Sequence, residues 1–176
     1  VKLNNNGVKN ATAFGSITGL GDLALIKTQT ISSGTGTVSF VDGTSSVVLD
    51  NTYKEYIFFF NNLHPSQSAA ITFNFSVDTG SNYNVSKTTT FFAAQHDEGD
   101  SEASLGYDSD KDLANATGFQ RLDFSTGAQN DNNFGGYLHL FDPSNTTFVK
   151  HFISVSSTVH SNTYENNSYV AGYGNT

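Results

Sequence analysis

The chain of 176 residues contains no cysteine, no tryptophan and no methionine, and only two prolines. Without cysteine there is no disulfide, no thiolate nucleophile and no Cys-ligated zinc or iron–sulfur centre. Charge is scarce too. Asp, Glu, Lys and Arg make up 14% of the residues, against about a quarter in ordinary soluble domains. Eight basic residues face sixteen acidic ones, for a net charge of −8. That balance supplies no basic stripe to displace counterions, so no nucleic-acid partner is expected. Long apolar runs are also missing: the longest, residues 56–60, is strand-sized and far short of the ~18 residues of a membrane helix. No membrane insertion is expected. The opening residues, VKLNNNG, lack the hydrophobic stretch of a secretory signal. With so neutral and amide-rich a surface, the expectation is a protein made in a cytoplasm and carried outside it within a particle.

What is present is Asn, Ser, Thr and Gly on the polar side, with 15 Phe and 8 Tyr supplying the bulky packing residues. Residues 1–22 have few apolar positions and no strand or helix period, which reads as an extended N-terminal arm. From residue 23 onward short β-type runs alternate with polar punctuation. The runs are 23–31, 37–41, 47–49, 53–60, 71–77, 88–94, 119–124, 136–141, 147–156 and 169–173. Residues 56–60 are apolar at both parities, the pattern of a central strand covered on two faces. Ile71, Phe73, Phe75 and Val77 alternate with polar residues and give the cleanest period of two. One helical turn fits within 111–116, and no longer helix. Turn residues at near-regular spacing predict an all-β antiparallel β-sandwich, jelly-roll-like, over 23–176 behind the arm.

Candidate chemistry is thin. Asp108, Asp110 and Asp112 match positions 1, 3 and 5 of an EF-hand loop, but Leu113 stands where the Gly belongs and Phe119 where the Glu belongs. A calcium loop is therefore weak here. Gly99-Asp100-Ser101 near His96 resembles a GDS-type esterase block, yet it lies mid-chain in a polar loop with no αβ alternation around it. His64, His96, His139, His151 and His160 have no zinc spacing; a shared metal would require His139 and His151 to lie on adjacent strands. Glu55, Glu98, Asp123 and Glu165 are carboxylates that nothing singles out as a hydrolytic pair. Tyr83, Tyr107, Tyr164, Tyr169 and Tyr173 lie in or near polar segments and could stack on sugars. No catalytic residue and no cofactor is assigned, and a non-enzymatic role is expected.

The strings KLNNNGVKN, LALIKTQTISS, VSFVDGTSSVVLDNTYKEYIFFFNNLHPS, GSNYNVSKTTTFFAAQHDE and GYLHLFDPSNTTFVKHFISVSS carry a family likeness. The chain resembles, from Lys2 to Thr176, small structural proteins encoded by tailed phages of marine bacteria, including cyanobacteria. The most specific segments are 50–56, 61–65 and 140–144. The resemblance implies a virion structural protein on the particle exterior, synthesised in the bacterial host cytoplasm. A capsid decoration or cement protein is favoured over a tail or capsid fibre module that binds host-surface glycan. Its partners would be the major capsid protein or tail and fibre subunits, and a homo-oligomer, a trimer, is expected. The arm would hold it there through Lys2, Leu3, Asn4, Asn5, Asn6, Val8 and Phe14. Proteins of this kind continue past residues 171–176 into two more strands, so either the sandwich lacks its last strands, which would leave an open sheet edge, or a neighbouring subunit completes the last sheet.

Overall fold

The computed structural model describes residues 23–160 and 163–176; the arm, residues 1–22, lies outside the described residues. The fold is an all-β antiparallel sandwich, with no helix among the described residues. Eight strands are formed: β1 (Glu55–Leu63), β2 (Thr72–Phe73), β3 (Lys87–Asp97), β4 (Ala103–Tyr107), β5 (Gln120–Arg121), β6 (Phe134–Phe141), β7 (Lys150–His160) and β8 (Tyr164–Gly174). The large sheet runs β1-β6-β7-β8-β3-β4, and β2 pairs with β5 in a second, two-stranded layer.

Alternation along each strand sets the two faces. Tyr56, Phe91, Phe134, Leu138, Leu140, Phe152 and Val170 point inward and form the core with Leu122. Phe73 and Phe75, from the second layer, meet Phe152 edge-on at 4.7 and 5.9 Å between ring centroids. The inner face is not wholly apolar. Ser154, Ser156, Thr158, Asn166 and Ser168 are buried on β7 and β8. Ser156 Oγ donates to Leu122 O at 2.7 Å and Ser154 Oγ to Tyr137 O at 2.8 Å. These short side chains let the 119–126 segment lie close to the sheet, and such bonds offset the cost of burying hydroxyls.

Close approach also fixes one glycine. A Cβ on Gly136 would stand 2.4 Å from Val155 O and 2.9 Å from Ser156 Cα on the neighbouring strand. Beside it, β1 changes register between Phe60 and Leu63, with Asn62 at φ 53°. This bulge returns Leu63 to the inner face opposite Phe134.

Several sequence expectations are corrected. Residues 53–60 do not form a central strand, because β1 is an edge strand paired only with β6. Its second apolar parity serves the outer face instead. The 71–77 alternation yields only two strand residues. After Phe73 the Asn74 amide takes over the local bonding, donating to Tyr83 O and Thr117 O and accepting from Phe75 N. Residues 23–31, 37–41 and 47–49 join no ladder. They carry local turns, with Gly43 N to Val47 O and Thr44 N to Val41 O, and Leu49 N binds the Asp42 carboxylate. From them Ile26 and Leu49 pack against the core cluster and Val47 is buried, while Phe40 meets Phe58 edge-on. Residues 111–116 make no helical turn: they bend alongside β3, where Leu113 O accepts from Thr89 N and Ala116 bridges Lys87. The sequence reading missed β4 altogether. Finally, β8 is no open edge: it is paired along its length with β7 on one side and β3 on the other. The edges of the large sheet are β1 and β4.

Candidate functional site

The outer face of the large sheet carries the most unusual surface of the described residues. Register places Phe59 opposite Tyr137, Tyr137 opposite Val155, Val155 opposite Tyr169, Tyr169 opposite Phe92, and Phe92 opposite Tyr107. One row of bulky side chains therefore crosses all six strands. Its five aromatic members are between 38% and 61% exposed, where a monomeric surface ordinarily scatters such groups singly. The adjoining rows extend it with Ile57, Ile153 and Ala171 on one side and Ala94 and Leu105 on the other.

Within the row, Phe92 and Tyr169 stack with centroids 5.0 Å apart and an interplanar angle of 6°. That separation is close to the ~4.8 Å spacing of neighbouring strands. The two rings thus stack across the β3–β8 pair, one face of each turned to the other. Tyr107, at the β4 end, donates its hydroxyl to Asp112 Oδ2, and this bond raises its pKa above the ordinary phenol value.

Charge is nearly absent from this face. Its strand positions include Glu55 and Glu165, no Lys or Arg, and three histidines, His96, His139 and His151. Each lies outside the central row. His139 Nε2 is 3.2 Å from Glu55 Oε2 and its ring lies 4.1 Å from that of Phe141. His151 meets Tyr173 edge-on at 5.9 Å, and His96 reaches Asp100 Oδ1 at 3.2 Å. His139 and His151 do lie on adjacent strands, but each is turned to its own neighbour.

The acidic residues gather elsewhere. The β3–β4 turn is organised by Asp97, whose carboxylate accepts from Ser101 Oγ at 2.5 Å, Ser101 N at 2.8 Å and Glu102 N at 2.7 Å. The Ser101 bond leads those that hold Asp97 below the usual carboxylate range. Ser101 is thus tied to Asp97 and His96 to Asp100, so the Gly99-Asp100-Ser101 segment is a hairpin turn. The three carboxylates of the EF-hand-like segment do not converge. Asp108 pairs with Lys111 and caps Asp110 N, while Asp112 binds Tyr107. No group of three His, Asp or Glu placed to hold a metal occurs among the described residues. Glu55, Glu98, Asp123 and Glu165 are likewise dispersed. Asp123 is buried under the sheet and accepts from Ile71 N and Thr126 Oγ1; burial pushes its pKa up to about 6.

An open depression of about 530 Å³, lined by Phe141, Asp142, Asn145, Thr147, Phe148, Val149 and His151, lies at one end of the outer face. The Asn145 amide there is already used, donating to Asp142 and accepting from Thr147 N and Phe148 N.

Of the tyrosines proposed to stack on sugars, Tyr107 and Tyr169 fall in the central row and Tyr173 two rows' width along the same face. Tyr164 donates to Glu102 beside the turn, and Tyr83 has its hydroxyl buried away from that face. Sequence reasoning missed Phe59, Phe92, Tyr137 and Val155. The available signal was the second apolar parity in 56–60 and the Phe91-Phe92 pair, which a one-sided sheet does not need. The arm residues Lys2, Leu3, Asn4, Asn5, Asn6, Val8 and Phe14 lie outside the described residues. Comparison with protein-family models, curated proteins and solved structures returns no match.

Proposed function

We propose that the chain is a non-enzymatic structural protein of a bacteriophage particle, displayed on its exterior, and that it works as a capsid decoration or cement protein. The observation that supports this most is the uncharged aromatic row across the six-stranded sheet. A surface of that kind in water is stabilised by being covered with protein, and no group of three His, Asp or Glu placed to hold a metal accompanies it among the described residues. The cysteine-free, amide-rich composition and the likeness to small phage structural proteins support the location. In this reading the arm holds the sandwich to the shell, and burial across subunits stabilises the assembled particle by linkage.

The fibre-tip reading, in which the face binds host glycan, ranks second. A sugar platform needs free ring faces, and the stack of Phe92 on Tyr169 covers one face of each.

Quantitative mass spectrometry of purified particles tests the proposal. The expected result is a copy number equal to, or a fixed fraction of, that of the major capsid protein, lost when residues 1–20 are deleted. A few copies per particle together with binding on a glycan array would replace it with the fibre reading. Absence from particles would overturn both.

A further inference from the structure

We infer that β4 is an open edge of the large sheet at which an extended, Lys- or Arg-bearing segment of a partner protein adds as a seventh strand. The inference deepens the reading of the chain as a particle protein held by its neighbours, and rests on that reading only for where the partner is found.

The backbone carries it first. Asp97 N donates to Glu102 O at 3.1 Å and Asp108 N to Phe91 O at 2.9 Å. With the β3–β4 register these bonds fix the alternation. Ser104 and Gly106 bond to β3, while Ala103, Leu105 and Tyr107 turn their N–H and C=O groups away from it. None of these outward groups has a partner among the described residues. They recur at every second residue, the spacing an added strand needs. Sheet edges are ordinarily guarded by charge, proline or a bulge. The other edge, β1, starts at Glu55 beside Lys54 and is bulged between Phe60 and Leu63. The β4 residues, ASLGY, hold no charge, no proline and no register shift, and all are exposed.

The inner side of this edge is open too. Phe91 faces the core, so Ala93 and Gln95, with Gly106 and Ser104 opposite them, share that face. Together with Phe124 they line a depression of about 240 Å³. That is below the ~300 Å³ of small-molecule pockets and of a size for one side chain. A Cβ on Gly106 would meet nothing within 4 Å. A residue of the added strand opposite Gly106 hangs its side chain over this space.

Charge selects the occupant. Glu98, Asp100 and Glu102 precede β4, and Asp108, Asp110 and Asp112 follow it. The one Lys or Arg between residues 97 and 112 is Lys111, and its ammonium is spent on Asp108 and the Phe124 ring. An acidic group therefore stands at each end of an uncharged edge. Two copies joined through β4 would bring these ends together in either strand direction, which disfavours a second copy. A segment with uncharged residues at its centre and Lys or Arg at both ends is favoured, those ends lying roughly 17 Å apart across a strand of this length.

The test uses the full chain and the peptide KKTVTLTKK. Two controls are its acidic twin, EETVTLTEE, and a basic twin N-methylated at two adjacent central residues, which blocks both of its edges. The basic peptide should bind and protect the amide hydrogens of Ala103, Leu105 and Tyr107 from exchange, read by NMR. Each control should bind about tenfold more weakly or worse. Leu105→Pro removes an outward N–H that β3 does not use. The variant should keep its far-UV circular dichroism and lose about tenfold or more in affinity for the basic peptide. Should it not fold, the N-methylated twin makes the same comparison from the peptide's side. Equal binding of the three peptides, or binding that leaves those amides unprotected, would overturn the inference. No binding by a chain that is present on purified particles would overturn it and leave the proposed function standing. Binding of the expected kind by a chain absent from particles would do the reverse.

Discussion

Replacing Asp123 by Asn should stabilise the protein at neutral pH and give no gain in acid. Asp123 is fully buried between the second layer and the sheet. Burial raises its pKa from 3.8 to about 6, outweighing the bonds from Thr126 Oγ1 and Ile71 N and the attraction of Arg121. A carboxyl whose folded pKa is raised binds more protons in the folded state than in the unfolded state between about pH 4 and pH 6. Its contribution to stability is therefore present below pH 4 and lost as pH rises to 6. A shift of this size corresponds to about 3 kcal/mol at pH 7. Asn keeps an oxygen for Ile71 N at Oδ1, where the bond is 2.9 Å. Its Nδ2 must instead donate to Thr126 Oγ1, which at present donates to Asp123 at 2.6 Å, and turning that hydroxyl costs about 1 kcal/mol. The expected net gain is about 1–2 kcal/mol at pH 7.5, falling to zero or below at pH 4. Urea denaturation of both proteins at the two pH values measures it, because the difference between them cancels every other titrating group. An Asn variant no more stable at pH 7.5 than at pH 4, relative to the parent, would refute the assignment of a charged carboxylate in that position.

Lys87 gives the opposite sign in a different window. It is fully buried, its ammonium donates to Asn74 Oδ1 and Val85 O, and burial lowers its pKa to about 8. The unfolded chain binds the extra proton between about pH 8 and 10.5, so parent stability should rise by about 2–3 kcal/mol from pH 7.5 to 10. Lys87→Met should remove that rise in urea midpoints. Gly136→Ala should cost about 2 kcal/mol or more, because its Cβ meets backbone atoms of Val155 and Ser156 that cannot turn aside. Gly135→Ala, whose nearest neighbour is Phe60 O at 4.0 Å, should change thermal stability by less than about 0.5 kcal/mol.

The parts of the fold legible in the sequence were those fixed by local pattern. Residues 88–94, 136–141, 147–156 and 169–173 all lie largely within strands, since alternation and β-branched or aromatic content are properties of a pleated ribbon by itself. Ile71 to Val77 shows the limit. Its alternation is as clean as any, yet a strand also needs a partner, and the Asn74 side chain bonds the backbone in place of one. The weakly apolar β4 failed in the other direction: ASLGY has no pattern of its own and becomes a strand because the Asp97 turn folds it back onto β3.

Composition and patterning by themselves determined that this chain is all-β, cysteine-free, charge-poor and built on Phe and Tyr. Those follow from residue counts and from the period of two, which need no knowledge of which strand meets which. The order β1-β6-β7-β8-β3-β4 was decided only in the tertiary structure, because pairing depends on contacts between segments far apart in sequence. So was the candidate site. Phe59, Phe92, Tyr107, Tyr137, Val155 and Tyr169 come from six separate strands, and only register places them in one row.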